Sequence, residues 1–135
     1  MKIVGVQHIG IAVRDLEAAI ASFENLFGAR CGSREKIAAS KVEVAFFDFG
    51  NTHVELVSPT DPASPVSGYL ERRGNGIHHI CFDVEGIDKW LETLKARDVK
   101  LIDKTPREGA AGHRVAFIDP ASADGILYEL SEGAG

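Results

Sequence analysis

The sequence predicts an α+β fold: two tandem βαβββ modules forming a curved mixed sheet around a cleft. Two observations carry this reading. The stretch HIGIAVRDLEAAIASF, from His8, aligns without gaps on HICFDVEGIDKWLETL, from His79, at a constant offset of 71 residues. In both copies the apolar pattern changes from alternation to one helix face at the same valine, Val13 or Val84. An internal repeat decides the architecture before any single element does. A sheet covered by one helix needs a second such unit to complete its core.

The elements follow in order. HIGIAV is a strand whose Ile9, Ile11 and Val13 suit packing against a helix, while His8, Gly10 and Ala12 leave room for a ligand on the other face. The first helix starts after Asp15, a side chain suited to an N-cap, and stops at Gly28. The runs KVEVAFFDFG and THVELVS read as strands around the turn GNT. Module one therefore occupies about residues 1–60. The linker, about 61–74, is rich in Pro, Ser and Gly and holds a short helical piece over 68–73. Module two, about 75–133, repeats the plan: GIHHICFDV as a strand, a helix from about Gly86 to Arg97, then HRVAFID and ILYELS as strands around PASADG.

With 135 residues, 44% of them apolar and 26% charged, the chain reads as one globular domain made of two halves. A net charge of −5 argues against a nucleic-acid binder, which needs a basic face. Cys31 and Cys81 form no motif, so a disulfide framework is not expected and a cytoplasmic location is. MKIVGVQHIG lacks the apolar segment of a signal peptide, and no run is long enough to span a membrane.

The repeat also pairs residues that carry chemistry. His79 is in register with His8, which leaves its neighbour His78 as a structural residue. VELVS holds Glu55 and YELSE holds Glu129, so each half has one histidine opening its first strand and one glutamate in its last. A carboxylate amid apolar neighbours is costly to bury without a partner. A cation resolves that, and His8, Glu55, His79 and Glu129 make an N2O2 set suited to Co2+, with Ni2+, Mn2+, Zn2+ or Mg2+ as alternatives. The cleft is thus read as metal-binding.

These segments resemble the vicinal oxygen chelate superfamily, and within it the methylmalonyl-CoA epimerase family. The resemblance is carried by HIGIAVRDLEAAI, GNTHVELVSP, SPVSGYLERRGNGIHHICFDV, PREGAAGHRVAFIDP and GILYEL, which together span nearly the whole chain. It implies the same four metal ligands, an acyl-CoA substrate and a homodimer. The implied reaction interconverts (2R)- and (2S)-methylmalonyl-CoA through an enolate, with Glu129 and Glu43 as the proton-transfer pair; a shift of one residue would put Val44 in the place of Glu43. Arg107 and Arg114 are expected to meet the CoA phosphates, while Gly109 and Gly112 shape a loop that holds a carboxylate or thioester. Two departures stand out: Ser40 where the family commonly has Gln, and Asp119-Pro120-Ala121 where it commonly has His-Pro-Lys. Rival readings on the same scaffold are a lactoylglutathione lyase of glyoxalase type, an extradiol dioxygenase, and a non-catalytic protein that sequesters an antibiotic.

Overall fold

A computed structural model describes residues 1–133. The α+β class and the two βαβββ modules are as the sequence predicts. The first module holds β1 (Lys2–Ala12), α1 (Leu16–Phe27), β2 (Ser33–Ile37), β3 (Val42–Asp48) and β4 (His53–Pro59). A linking helix, α2 (Pro65–Arg73), leads to β5 (Gly76–Glu85), α3 (Ile87–Ala96), β6 (Arg107–Glu108), β7 (Arg114–Ile118) and β8 (Tyr128–Glu132). Compact packing divides the chain at His8 and His79: residues His8–His78 make one unit, and Met1–Gln7 with the chain from His79 onward make the other.

In the first unit the strands run in the order β2-β3-β4-β1. β1 and β4 are parallel, whereas β3 is antiparallel to both β4 and β2. The parallel pair is possible because α1, β2 and β3 carry the chain across before β4 begins. Asp15 caps α1 by accepting the Ala18 N–H at 3.1 Å, and Gly28 ends the helix in the left-handed region, at φ 66°. One sheet face buries Val13, Ala45, Phe47 and Leu56 under Leu16, Ile20 and Phe23 of α1.

The opposite face buries Ala12, Val42, Val44 and Val57 under Val66 and Leu70 of α2. Here the structure differs from the sequence reading, in which Ala12 bordered open space. The linker helix is also longer than predicted. Ser64 Oγ accepts the Val66 N–H at 3.3 Å, and Pro65, which has no N–H to satisfy, takes the first turn. Arg14 holds the far end through Nη2 to the Leu70 carbonyl, at 2.8 Å.

In the second unit the order is β5-β8-β7-β6, again with one parallel pair, β5 with β8. Val84, Ala116 and Leu130 are buried under Ile87 and Leu91 of α3. Gly86 offers no capping side chain to α3. The Glu132 carboxylate in β8 accepts the Gly86 and Ile87 N–H groups instead, at 2.7 and 3.3 Å. Among the described residues no helix is long and apolar enough to cross a membrane.

Candidate metal centre

Strand pairing places a histidine beside a glutamate once in each unit. In the first, β1 and β4 set Gly10 next to Glu55, with His8 two residues back on the same face. Gly10 has no side chain to fill the space between them, and His8 Nδ1 lies 3.1 Å from Glu55 Oε2. In the second, β5 and β8 set Cys81 next to Glu129, with His79 two residues back. His79 Nε2 lies 3.2 Å from Glu129 Oε1. Gly10 and Cys81 are themselves partners under the repeat, so both halves use one register although the two His-to-Glu separations in sequence differ.

All four side chains are buried: His8 is 5%, Glu55 6%, His79 8% and Glu129 6% exposed. Such burial of an imidazole and a carboxylate is costly unless charge is balanced. His8, His79 and Glu129 each offer an atom that can ligate a metal, and Glu55 matches Glu129 in kind and position. The donor chemistry, one nitrogen and one oxygen per pair, fits a divalent first-row ion. His78 lies on the other face of β5, its ring edge-on to Tyr69 with centroids 4.9 Å apart. Tyr69 in turn donates its hydroxyl to the Ile77 carbonyl at 2.7 Å.

Beyond Glu129, its face of the second unit continues through Phe117, Ser131 and Val115, as the register of β7 with β8 requires. The Phe117 ring stands edge-on to His79, with centroids 5.6 Å apart. Arg107 lies over the same ring at 5.4 Å, and its Nε donates to Asp103 Oδ1 at 3.0 Å. Arg107 is thus on the face of Glu129, a row of contacts away.

Three other predicted site residues are placed differently. Phe46 is opposite Glu55 in the β3–β4 ladder, so Glu43, three positions earlier, points to the α1 face. There it accepts from Arg34 Nε at 3.2 Å, and Arg34 also pairs with Glu17 of α1. The hydrogen bond from Arg34 holds the Glu17 carboxyl below its ordinary value. Val44, not Glu43, shares the face of Glu55. Glu43 is thus on the face away from that of Glu55, whereas the sequence reading expected it, as a base, to look into the site.

Arg114 is placed on the face away from Glu129 for the same reason. It is on the α3 face, donating through both terminal nitrogens to Asp88 at 2.8 and 2.9 Å. Those bonds hold the Asp88 carboxyl below its ordinary value. Gly109 is a packing residue: a Cβ there would meet Val115 methyls at 2.8 and 2.9 Å, and its N–H donates to the His113 carbonyl at 2.8 Å. Gly112 makes the turn, at φ 72°. Asp119, in place of the expected His, caps the short turn Pro120–Ser122 by accepting the Ala121 N–H at 2.8 Å.

A family model described as the glyoxalase/bleomycin resistance protein/dioxygenase superfamily matches residues 7–117. The ethylmalonyl-CoA/methylmalonyl-CoA epimerase of Cereibacter sphaeroides is 39% identical over 93% of this chain and 95% of its own length. The chain belongs to the methylmalonyl-CoA epimerase family of that superfamily. Solved structures agree: the methylmalonyl-CoA epimerase of Mycobacterium tuberculosis superposes with a TM-score of 0.94 at 31% identity, over 98% of this chain and 90% of that one. A methylmalonyl-CoA epimerase in complex with methylmalonyl-CoA and ammonium gives 0.93 at 28% identity, over 99% of this chain and 97% of that one. In this epimerase-family chain, Phe117, His113 and Ser131 join the face of Glu129 without having been singled out in the sequence. The alternation of HRVAFID, counted back from Phe117, was the signal that places His113 there.

Proposed function

We propose that this chain interconverts the (2R) and (2S) forms of methylmalonyl-CoA by moving the α-proton, with one divalent cation held by His8, Glu55, His79 and Glu129. The duplicated, buried His–Glu pair in one strand register carries this reading. The related ethylmalonyl-CoA/methylmalonyl-CoA and methylmalonyl-CoA epimerases point to the substrate class, a malonyl-type thioester of coenzyme A. Co2+ is placed first, with Ni2+, Mn2+, Zn2+ or Mg2+ as alternatives for the same donors. A homodimer, as the resemblance implies, is the active species.

Bound at these residues, the cation supplies Lewis acidity that favours negative charge on the thioester and carboxylate oxygens. Glu129 is the proton-transfer group: its carboxylate is buried, fixed by His79 and flanked by the Phe117 ring, so its orientation is set before substrate arrives. Arg107, stacked on Phe117 and 34% exposed at its side chain, presents its charge to an anionic part of the substrate. The turn at Gly112 holds the loop beside it.

The test is proton NMR of methylmalonyl-CoA in D2O with chelator-stripped and Co2+-reloaded protein. The α-proton signal is expected to disappear only with the reloaded protein. A persistent signal with protein shown by metal analysis to be loaded would contradict the proposal.

A further inference from the structure

Inversion at carbon requires a proton-transfer group on each side of the planar intermediate, and Glu43 faces the wrong way to be one. We infer that the second group is His113, aimed by Ser131. The inference rests on the epimerase reading. His113, Val115 and Phe117 alternate along one side of β7 and its approach, the side that also carries Glu129. A neutral imidazole carries a proton on one ring nitrogen and a lone pair on the other, so it can act as either donor or acceptor of a proton.

Its position is fixed from three directions. The Gly109 N–H donates to the His113 carbonyl at 2.8 Å, and the His113 N–H donates to the Ala110 carbonyl at 3.2 Å. The ring is held by Ser131, whose Oγ lies 3.1 Å from Nδ1. Ser131 is only 2% exposed, so its hydroxyl is a buried anchor rather than a solvated group. In the tautomer that donates Nδ1–H to Ser131, the transferable proton or the lone pair is on Nε2. Ser131 stands two residues beyond Glu129 on the same face of β8, a step of about 7 Å. That is roughly twice the reach of a single proton transfer, so a carbon between Glu129 and His113 is within range of both.

For one epimer, Glu129 takes the α-proton as the C–H bond breaks, and the electron pair is delocalised onto the flanking oxygens. The imidazolium of His113 then delivers a proton from Nε2 to the opposite side as the new C–H bond forms. The other epimer uses the same groups in exchanged roles. Solvent removes the proton gained by one group and restores that lost by the other, so no further reactant is needed.

The experiment incubates each epimer separately in D2O with Co2+-loaded wild type, His113→Asn, His113→Gln and Ser131→Ala. Metal content reports that each variant is folded and loaded. The His113 variants are expected to lose epimerisation by about 100-fold or more while still exchanging the α-proton of one epimer. Ser131→Ala is expected to show the same epimer-selective loss to a smaller degree. Loaded His113 variants that epimerise within about threefold of wild type, or that lose exchange of both epimers equally, would overturn the inference and leave the epimerase reading standing. A loaded wild type that exchanges neither epimer would overturn both.

Discussion

At the scale of single residues, neighbouring histidines have opposite duties because a strand alternates its side chains. His79 meets Glu129 and is buried, while His78 rests against Tyr69. His79→Ala is therefore expected to lower metal content in purified protein by an order of magnitude or more, and His78→Ala to leave it near that of wild type. Equal loss in the two variants, measured by elemental analysis, would contradict the assignment. This distinction was legible in the sequence, because the repeat set His79 against His8 and His78 against Gln7, which is not a histidine. The facing of Glu43 was not. KVEVAFFDF carries buried apolar residues on both sides, Val42 and Val44 on one and Ala45 and Phe47 on the other, so alternation does not say which side looks at the site. The pairing of Phe46 with Glu55 settles the side, and pairing is a long-range property.

At the scale of elements, the hairpin of β6 and β7 is shaped by packing rather than by propensity. β6 is two residues long and holds no apolar side chain, so nothing in RE announces a strand. β2 is likewise charged and lies at an edge, and it was not separated from the loop before it in the sequence. The hairpin needs Gly109, where a Cβ would run into the Val115 methyls. Gly109 has an ordinary extended backbone, φ −112°, so an added methyl meets only that contact and no backbone strain. Gly109→Ala is expected to destabilise the fold by about 1–3 kcal/mol. In the double variant with Val115→Ala, the two costs should add to less than their sum by about 0.5 kcal/mol or more. Strict additivity in denaturant unfolding would contradict the packing role. The two ends of α1 were far easier to read, because Asp15 and Gly28 act through local bonds that sequence spacing displays directly.

At the scale of the whole molecule, duplication accounts for both the fold and the pairing of a histidine with a glutamate in each unit. Each unit supplies one buried imidazole and one buried carboxylate in the same strand register, and neither pair alone makes a four-donor site. The linker helix is where the halves part company. It covers Ala12, Val44 and Val57 in the first unit, and it has no repeat partner, which is why its extent escaped a reading built on the repeat. On the proposed reading the two pairs serve one ion. Calorimetric titration of Co2+ into the chelator-stripped full chain tests it most directly. One ion per chain is expected, with affinity falling sharply in both His8→Ala and His79→Ala. Two ions per chain, each abolished by only one of those substitutions, would contradict it.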